Sequence, residues 1–169
     1  MVKPSDLIVF ATLAAGGCTA AAIDLRTRRV PNTLTLSLAA AGLGFAAAGI
    51  GRVTLLGALA GMVVGFLLML PGHLFGATGA GDVKLFAALG AIVGPASIGA
   101  AFLYTAIAGG LLAAVVAVRR RRLGQTLGRT RRLIANGAGA IAEIEHADAG
   151  NRFAYAPAIA IGVLVAAVA

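Results

Sequence analysis

From Leu7 to Ile23, from Leu34 to Ile50 and from Val53 to Leu70 the sequence carries no charged side chain. An uninterrupted apolar run of about 20 residues is long enough to cross the hydrocarbon of a bilayer as a helix. Three more apolar segments follow, Val83–Val93, Ala96–Val118 and Phe153–Ala169, and Gly94-Pro95 marks a turn between the first two of them. The expectation is an all-α, polytopic membrane protein of about six transmembrane helices. It forms one membrane-embedded domain over residues 1–169, with a basic loop at 119–152. Composition points the same way. Hydrophobic residues make up 60% of the chain and charged residues 12%, where a soluble domain carries about 25% charged.

Several functions are set aside at this level. Cys18 is the only cysteine and there are two histidines, so no Cys/His metal cluster can be assembled and no metal or other cofactor is expected. The net charge of +8 does not mark a nucleic-acid binder, because twelve of the fourteen Lys/Arg residues fall in a few positions between apolar segments. Such clustering sets membrane orientation. With the first helix entering from outside, Arg26, Arg28, Arg29, Lys84, Arg119–Arg122, Arg129, Arg131, Arg132 and Arg152 gather inside. Lys3 and Arg52 remain outside, as do both termini. The opening residues imitate a secretion signal, and Cys18 after Ala15-Gly16-Gly17 faintly imitates a lipoprotein site. Arg26, Arg28 and Arg29 follow directly, however, and hold that end in the cytoplasm, so the first segment is read as an uncleaved helix.

Within the spans, Gly57, Gly61 and Gly65 recur at the spacing that lets helix backbones approach closely in lipid. In the long loop, Leu123, Leu127, Leu133 and Ile134 among arginines suit a short interfacial helix against anionic membrane lipids, or equally a solvated basic loop. Glu143, Glu145, His146 and Asp148 read as solvated charges of that loop.

Two carboxylates remain. Asp24 ends the first apolar segment and Asp82 begins the fourth, and the charge-derived topology brings both to the inner membrane face. A carboxylate at a membrane edge is a candidate functional group. Asp24 could instead pair locally with Arg26 or Arg28, and Asp82 could be the N-cap of its helix. Gly79 and Gly81 permit positive φ and a close backbone approach, and so can aim the carboxylate that follows. Two carboxylates within hydrogen-bonding reach cannot readily both be ionised. They share a proton, and one can then act as base for water while the other acts as acid for a carbonyl.

At these residues the sequence resembles a known family. "DLRTRRVPN", Asp24 to Asn32, is similar to the first aspartate block of the type IV prepilin peptidases. "GAGDVKLFAALGAIVG", Gly79 to Gly94, resembles their GxGD block, and "FAYAPAIAIG", Phe153 to Gly162, their Pro-containing last helix. The resemblance implies a GxGD aspartyl protease-like bundle in the bacterial inner membrane, cutting the leader of a prepilin or pseudopilin at the cytoplasmic face. It carries the catalytic pair onto Asp24 and Asp82, the motif glycines onto Gly79 and Gly81, and the motif's basic residue onto Lys84. Pro31 and Asn32 match the turn opening the second helix. Pro157 is similar to the Pro-Ala-Leu element of presenilin-like proteases and is expected to break or kink the last helix.

Longer members of that family carry an N-terminal region with paired CxxC motifs linked to N-methylation of the pilin. This sequence resembles the short form associated with Flp/Tad-type pili, and methyltransferase activity is not expected of it. From the residues alone, two readings of other classes stay open. A small proton-coupled transporter would use the same aspartates, though they lie at the membrane edge and no second half repeats the first. A non-catalytic membrane scaffold in pilus assembly is the other.

Overall fold

The computed structural model describes residues 4–119 and 154–168, with backbone alone for 116–119. The described residues form five helices and no strand: α1 Pro4–Thr27, α2 Asn32–Ala47, α3 Leu55–Leu74, α4 Ala80–Arg119 and α5 Ala156–Val168. The basic loop expected at 119–152, with its interfacial helix and its acidic residues, lies outside the described residues apart from the last residue of α4. By length and composition α1, α3 and α4 are apolar enough to cross a membrane, while α2 and α5 are shorter.

Five helices stand where six apolar segments were expected, and α4 accounts for the difference. It contains both Val83–Val93 and Ala96–Val118, but its backbone breaks at Gly94, with φ 81° and ψ 173°. The break is a reversal of direction. Phe86 and Phe102 are equidistant from Gly94 in sequence, and their rings meet edge to face with centroids 6.3 Å apart. In a continuous helix, at 1.5 Å per residue, the same two residues would stand about 24 Å apart. Gly90 and Ile98, also equidistant from Gly94, pack against each other. Residues 80–93 and 95–119 are therefore the arms of a helical hairpin. Gly94 supplies a φ that side-chain-bearing residues avoid, and Pro95 opens the returning arm where no N–H is needed.

Bare backbone is what packs the arms against their neighbours. Gly61 of α3 and Gly90 of α4 face each other, and a Cβ built on either would collide with the other's carbonyl oxygen. One turn along, a Cβ on Gly65 would fall 2.8 Å from Phe86 O, and on α2 a Cβ on Gly42 would fall 2.9 Å from Ala91 C. The returning arm meets α5 at Gly162, where a Cβ would fall 2.6 Å from Thr105 N. Around these crossings Leu85, Phe86, Leu89, Ile98, Ile159 and Val163 are fully buried. Large apolar side chains also cover the outside, among them Leu56, Val63, Phe66 and Leu67 on α3 and Leu103, Ile107 and Leu111 on α4. Water would oppose such a surface by about 25 cal/mol per Å²; hydrocarbon does not. This is the surface of a membrane protein.

The bundle has two distinct ends. At one, Arg52 of the α2–α3 loop pairs with Asp6 at the start of α1, at 3.1 Å, and Val53 lies against Gly94. At the other end α1 finishes and α2, α4 and α5 begin.

Helix contact through bare backbone makes a direct prediction. Gly61→Ala should cost about 1–3 kcal/mol, read as a lower melting temperature in detergent. Gly44→Ala, whose Cβ would meet nothing within 4 Å, should leave the melting temperature unchanged or raised. Equal effects of the two substitutions would refute the packing role.

Candidate active site

The site is built on the short connection between α1 and α2. Thr27 closes α1, its hydroxyl donating to Ile23 O at 2.9 Å, with Arg29 O also in range at 3.1 Å. Arg28 takes the left-handed conformation at φ 54°, and its N–H donates to Asp24 O at 2.7 Å. Pro31, with φ −65° and ψ 140°, is the residue that caps α2. This tight turn leaves Val30 buried and laid on the start of α4. A Cβ built on Gly81 would fall 3.2 Å from Val30 Cβ and 3.3 Å from Val30 N and O. Gly81 thus serves close approach, since a side chain there would press on Val30 and make it give by a few tenths of an ångström. The expectation that Gly79 or Gly81 uses positive φ is corrected: the glycines with positive φ among the described residues are Gly49, Gly51, Gly76 and Gly94. Of these, Gly76 turns the α3–α4 loop just ahead of the motif.

Asp82 sits in the first turn of α4, 6% exposed. It is not the N-cap. Its Oδ2 accepts from Gly79 N at 3.0 Å, so the carboxylate reaches back over the turn to the cap residue's own N–H. That is the return half of a capping box, with the helix's positive end beneath the carboxylate. The α3–α4 loop that delivers Gly79 is held by Ala77 N and Thr78 N, both donating to Gly72 O, and by His73 Nδ1 against Thr78 O at 3.1 Å.

Asp24 lies in the last turn of α1 and is 4% exposed. Its Oδ2 accepts from Ala156 N at 3.1 Å, a bond spanning 132 residues. Ala156 is the first residue of α5, so this carboxylate too sits on a helix N-terminus. Asp24 is therefore not an exposed interfacial carboxylate, and Arg26, two residues on, points to the other side of α1, exposed. Asp24 and Asp82 are within electrostatic reach of each other. Each spends Oδ2 on a backbone N–H, and the second oxygen of each is what a shared proton, a water molecule or a substrate would take.

The supporting residues divide. Lys84 is exposed; its Nζ donates to Asn32 Oδ1 at 3.0 Å, joining the starts of α2 and α4. Pro157 neither breaks nor kinks its helix. It is the second residue of α5, in the first turn, where a missing N–H removes no helical bond. It leaves the preceding N–H, that of Ala156, to Asp24. Tyr155, which sequence reasoning passed over, is within electrostatic reach of Asp82. The signal was its place beside Pro157 in "YAPAI".

If the Lys84–Asn32 bond aligns two helix starts at an exposed position, its worth is small. A double-mutant cycle of Asn32→Ala and Lys84→Met should give a coupling of about 0.5–1 kcal/mol in thermal stability. A coupling of 2 kcal/mol or more, on the scale of about 3–5 kcal/mol lost when a buried pair is broken, would mean that the lysine is not a surface brace.

Comparison with known proteins bears on this arrangement. The family model described as the type IV leader peptidase family matches residues 11–114, more than half of the chain. The match takes in Asp24, Pro31, Asn32, Gly79, Gly81, Asp82 and Lys84 and ends before Tyr155 and Pro157. No curated protein and no solved structure matches the chain. With two buried aspartates brought together inside that matched region, the chain belongs to the type IV leader peptidase family.

Proposed function

We propose that this protein is a membrane aspartyl endopeptidase that removes the leader peptide of type IV prepilins, of the Flp/Tad type, at the cytoplasmic face of the bacterial inner membrane. The observation that carries the reading is the burial of Asp24 and Asp82 within electrostatic reach of each other, each on a helix N-terminus. Buried carboxylates are costly unless satisfied, and a pair of them serves no packing purpose that an apolar pair would not serve better.

The chemistry follows from the pair. One aspartate, as carboxylate, takes a proton from water while the water oxygen attacks the scissile carbonyl carbon. The other, as carboxylic acid, gives its proton to the carbonyl oxygen, and a neutral tetrahedral intermediate results. On collapse the C–N bond breaks, the leaving nitrogen takes a proton from the pair, and one hydroxyl of the intermediate gives its proton to the pair as the C=O bond reforms, which returns the pair to its starting state. The bonds from Gly79 N and Ala156 N hold both carboxylates in place throughout.

In the bilayer, α1, α2, α3, the two arms of α4, and α5 give six crossings, with the ends of α1, α2, α4 and α5 that bear the aspartates facing the cytoplasm and both termini outside. The substrate's apolar segment lies in lipid beside the bundle. Its leader stays in the cytoplasm, and the bond to be cut falls at the depth of Asp24 and Asp82. Arg26, Arg28 and Arg29, exposed at that end, face anionic headgroups.

Asn in place of either aspartate keeps the shape and removes the base. Co-expressed with an Flp-type prepilin, Asp24→Asn and Asp82→Asn should each lower cleavage by about 10²–10⁴-fold, read by gel shift with enzyme levels checked by blot. Asp6→Asn, at the far end of the bundle, should cleave as wild type does. Undiminished cleavage by Asp82→Asn would sink the proposal.

A further inference from the structure

Tyr155 is held from two sides. Its carbonyl accepts from Ala158 N and Ile159 N at 3.0 and 3.2 Å, which makes it the cap residue of α5. The next N–H along, that of Ala156, is the one given to Asp24. Its ring lies on the returning arm of α4 at Gly109. A Cβ built there would fall 2.6 Å from Tyr155 Cε2 and 3.0 Å from the hydroxyl oxygen, so only glycine leaves the ring its seat. The cap fixes the backbone and Gly109 fixes the ring, and the phenol is left half-buried on the side of Asp82. Among the described residues its O–H is spent on no hydrogen bond. A half-buried donor, positioned by two helices, without a hydrogen-bond partner among the described residues and within electrostatic reach of Asp82, is available to a third molecule.

We propose that the Tyr155 phenol is a third polar group of this site, donating a hydrogen bond to the carbonyl oxygen of the scissile bond as that carbon becomes tetrahedral. The inference rests on the aspartyl peptidase reading and supplies what that pair lacks. Both carboxylates exchange protons during the reaction, so neither is a constant donor, whereas a phenol stays protonated at neutral pH. Tyr155 loses no proton in the cycle. Water and the two aspartates carry every proton transferred, and the phenol's hydrogen bond shortens as charge builds on the oxygen.

Tyr155→Phe tests this, because it removes the O–H and keeps the ring on Gly109. With purified enzyme and a prepilin substrate, kcat should fall about 100-fold with KM unchanged. A peptide carrying a hydroxyethylene group in place of the scissile amide, a mimic of the tetrahedral state, should bind more weakly by a similar factor. Binding of intact prepilin to Asp82→Asn should be the same with and without Tyr155→Phe. A wild-type kcat in Tyr155→Phe overturns the inference, and so does a loss of activity matched by a lower melting temperature or by weaker binding of intact prepilin. Wild-type cleavage that needs both aspartates and ignores Tyr155→Phe removes this inference alone. Failure of the wild-type enzyme to cleave removes the peptidase reading and this inference with it.

Discussion

The hydrogen bond from Ala156 N to Asp24 Oδ2 joins the first described helix to the last. A carboxylate with 4% of its surface exposed has little water to turn to, and an unsatisfied polar group in such surroundings costs several kcal/mol. The N-terminus of α5 answers that need with an N–H that the helix itself cannot use. Asp82 is answered in the same way from Gly79. Both bonds come from backbone N–H groups, and Lys84, two residues beyond Asp82, bonds to Asn32. Anchoring by backbone suits the catalytic role proposed for the pair: a backbone N–H fixes one oxygen of each carboxylate and leaves the other for the proton exchange that the proposal requires.

For α5 to start at Asp24, something must carry the chain back to that end of the bundle, and the hairpin at Gly94 does so. The first arm of α4 leaves the site from Asp82, and the second returns to it at Gly109, where Tyr155 sits. Had 80–119 been one straight helix it would extend about 60 Å, far beyond the hydrocarbon of a bilayer, and α5 would have nothing to pack on near the aspartates. One left-handed glycine thus decides the architecture. The close Gly61–Gly90 and Gly162–Thr105 crossings then hold both arms against α3 and α5. In lipid, where no hydrophobic force draws helices together, such backbone contact is what keeps them in place.

Much of this was legible in the sequence, and the limits have physical causes. The apolar runs, the two aspartate blocks and the turn at Gly94-Pro95 are local patterns, and local patterns can be read. The Asp24–Ala156 bond spans 132 residues, and no spacing rule predicts it. Positive φ and a close backbone approach were both expected at Gly79 and Gly81, and only the close approach is found, at Gly81. The residue that makes it, Val30, is 51 positions away, and the motif does not name it. Pro157 was expected to distort a helix because its start was placed at Phe153. With the helix starting at Ala156, the same proline stands in the one turn that tolerates it. Tyr155 escaped notice for a related reason: an aromatic residue in an apolar run reads as packing until its neighbours in space are known.

The placement of the pair at a bundle end also bears on how a bond in a membrane-borne substrate could be reached at all. A peptide bond inside a helix has its carbonyl spent on a backbone N–H and cannot be attacked without unwinding. Residues ahead of a helix's N-terminus lie outside its hydrogen-bond ladder, so their carbonyls are not spent in that way. On the proposed reading, a substrate whose leader precedes an apolar helix starting at the membrane surface presents such carbonyls at the end of the bundle where α1 finishes and α2, α4 and α5 begin. Asp24 and Asp82 lie at that end, each at the terminus of its own helix and beside the short α1–α2 turn, so that on the proposed reading protein and substrate meet end to end. Behind the aspartates, towards the far end, the described residues of α4 form an apolar interior of the fully buried Leu85, Phe86, Leu89 and Ile98, so the polar groups of the proposed site gather at one end of the bundle.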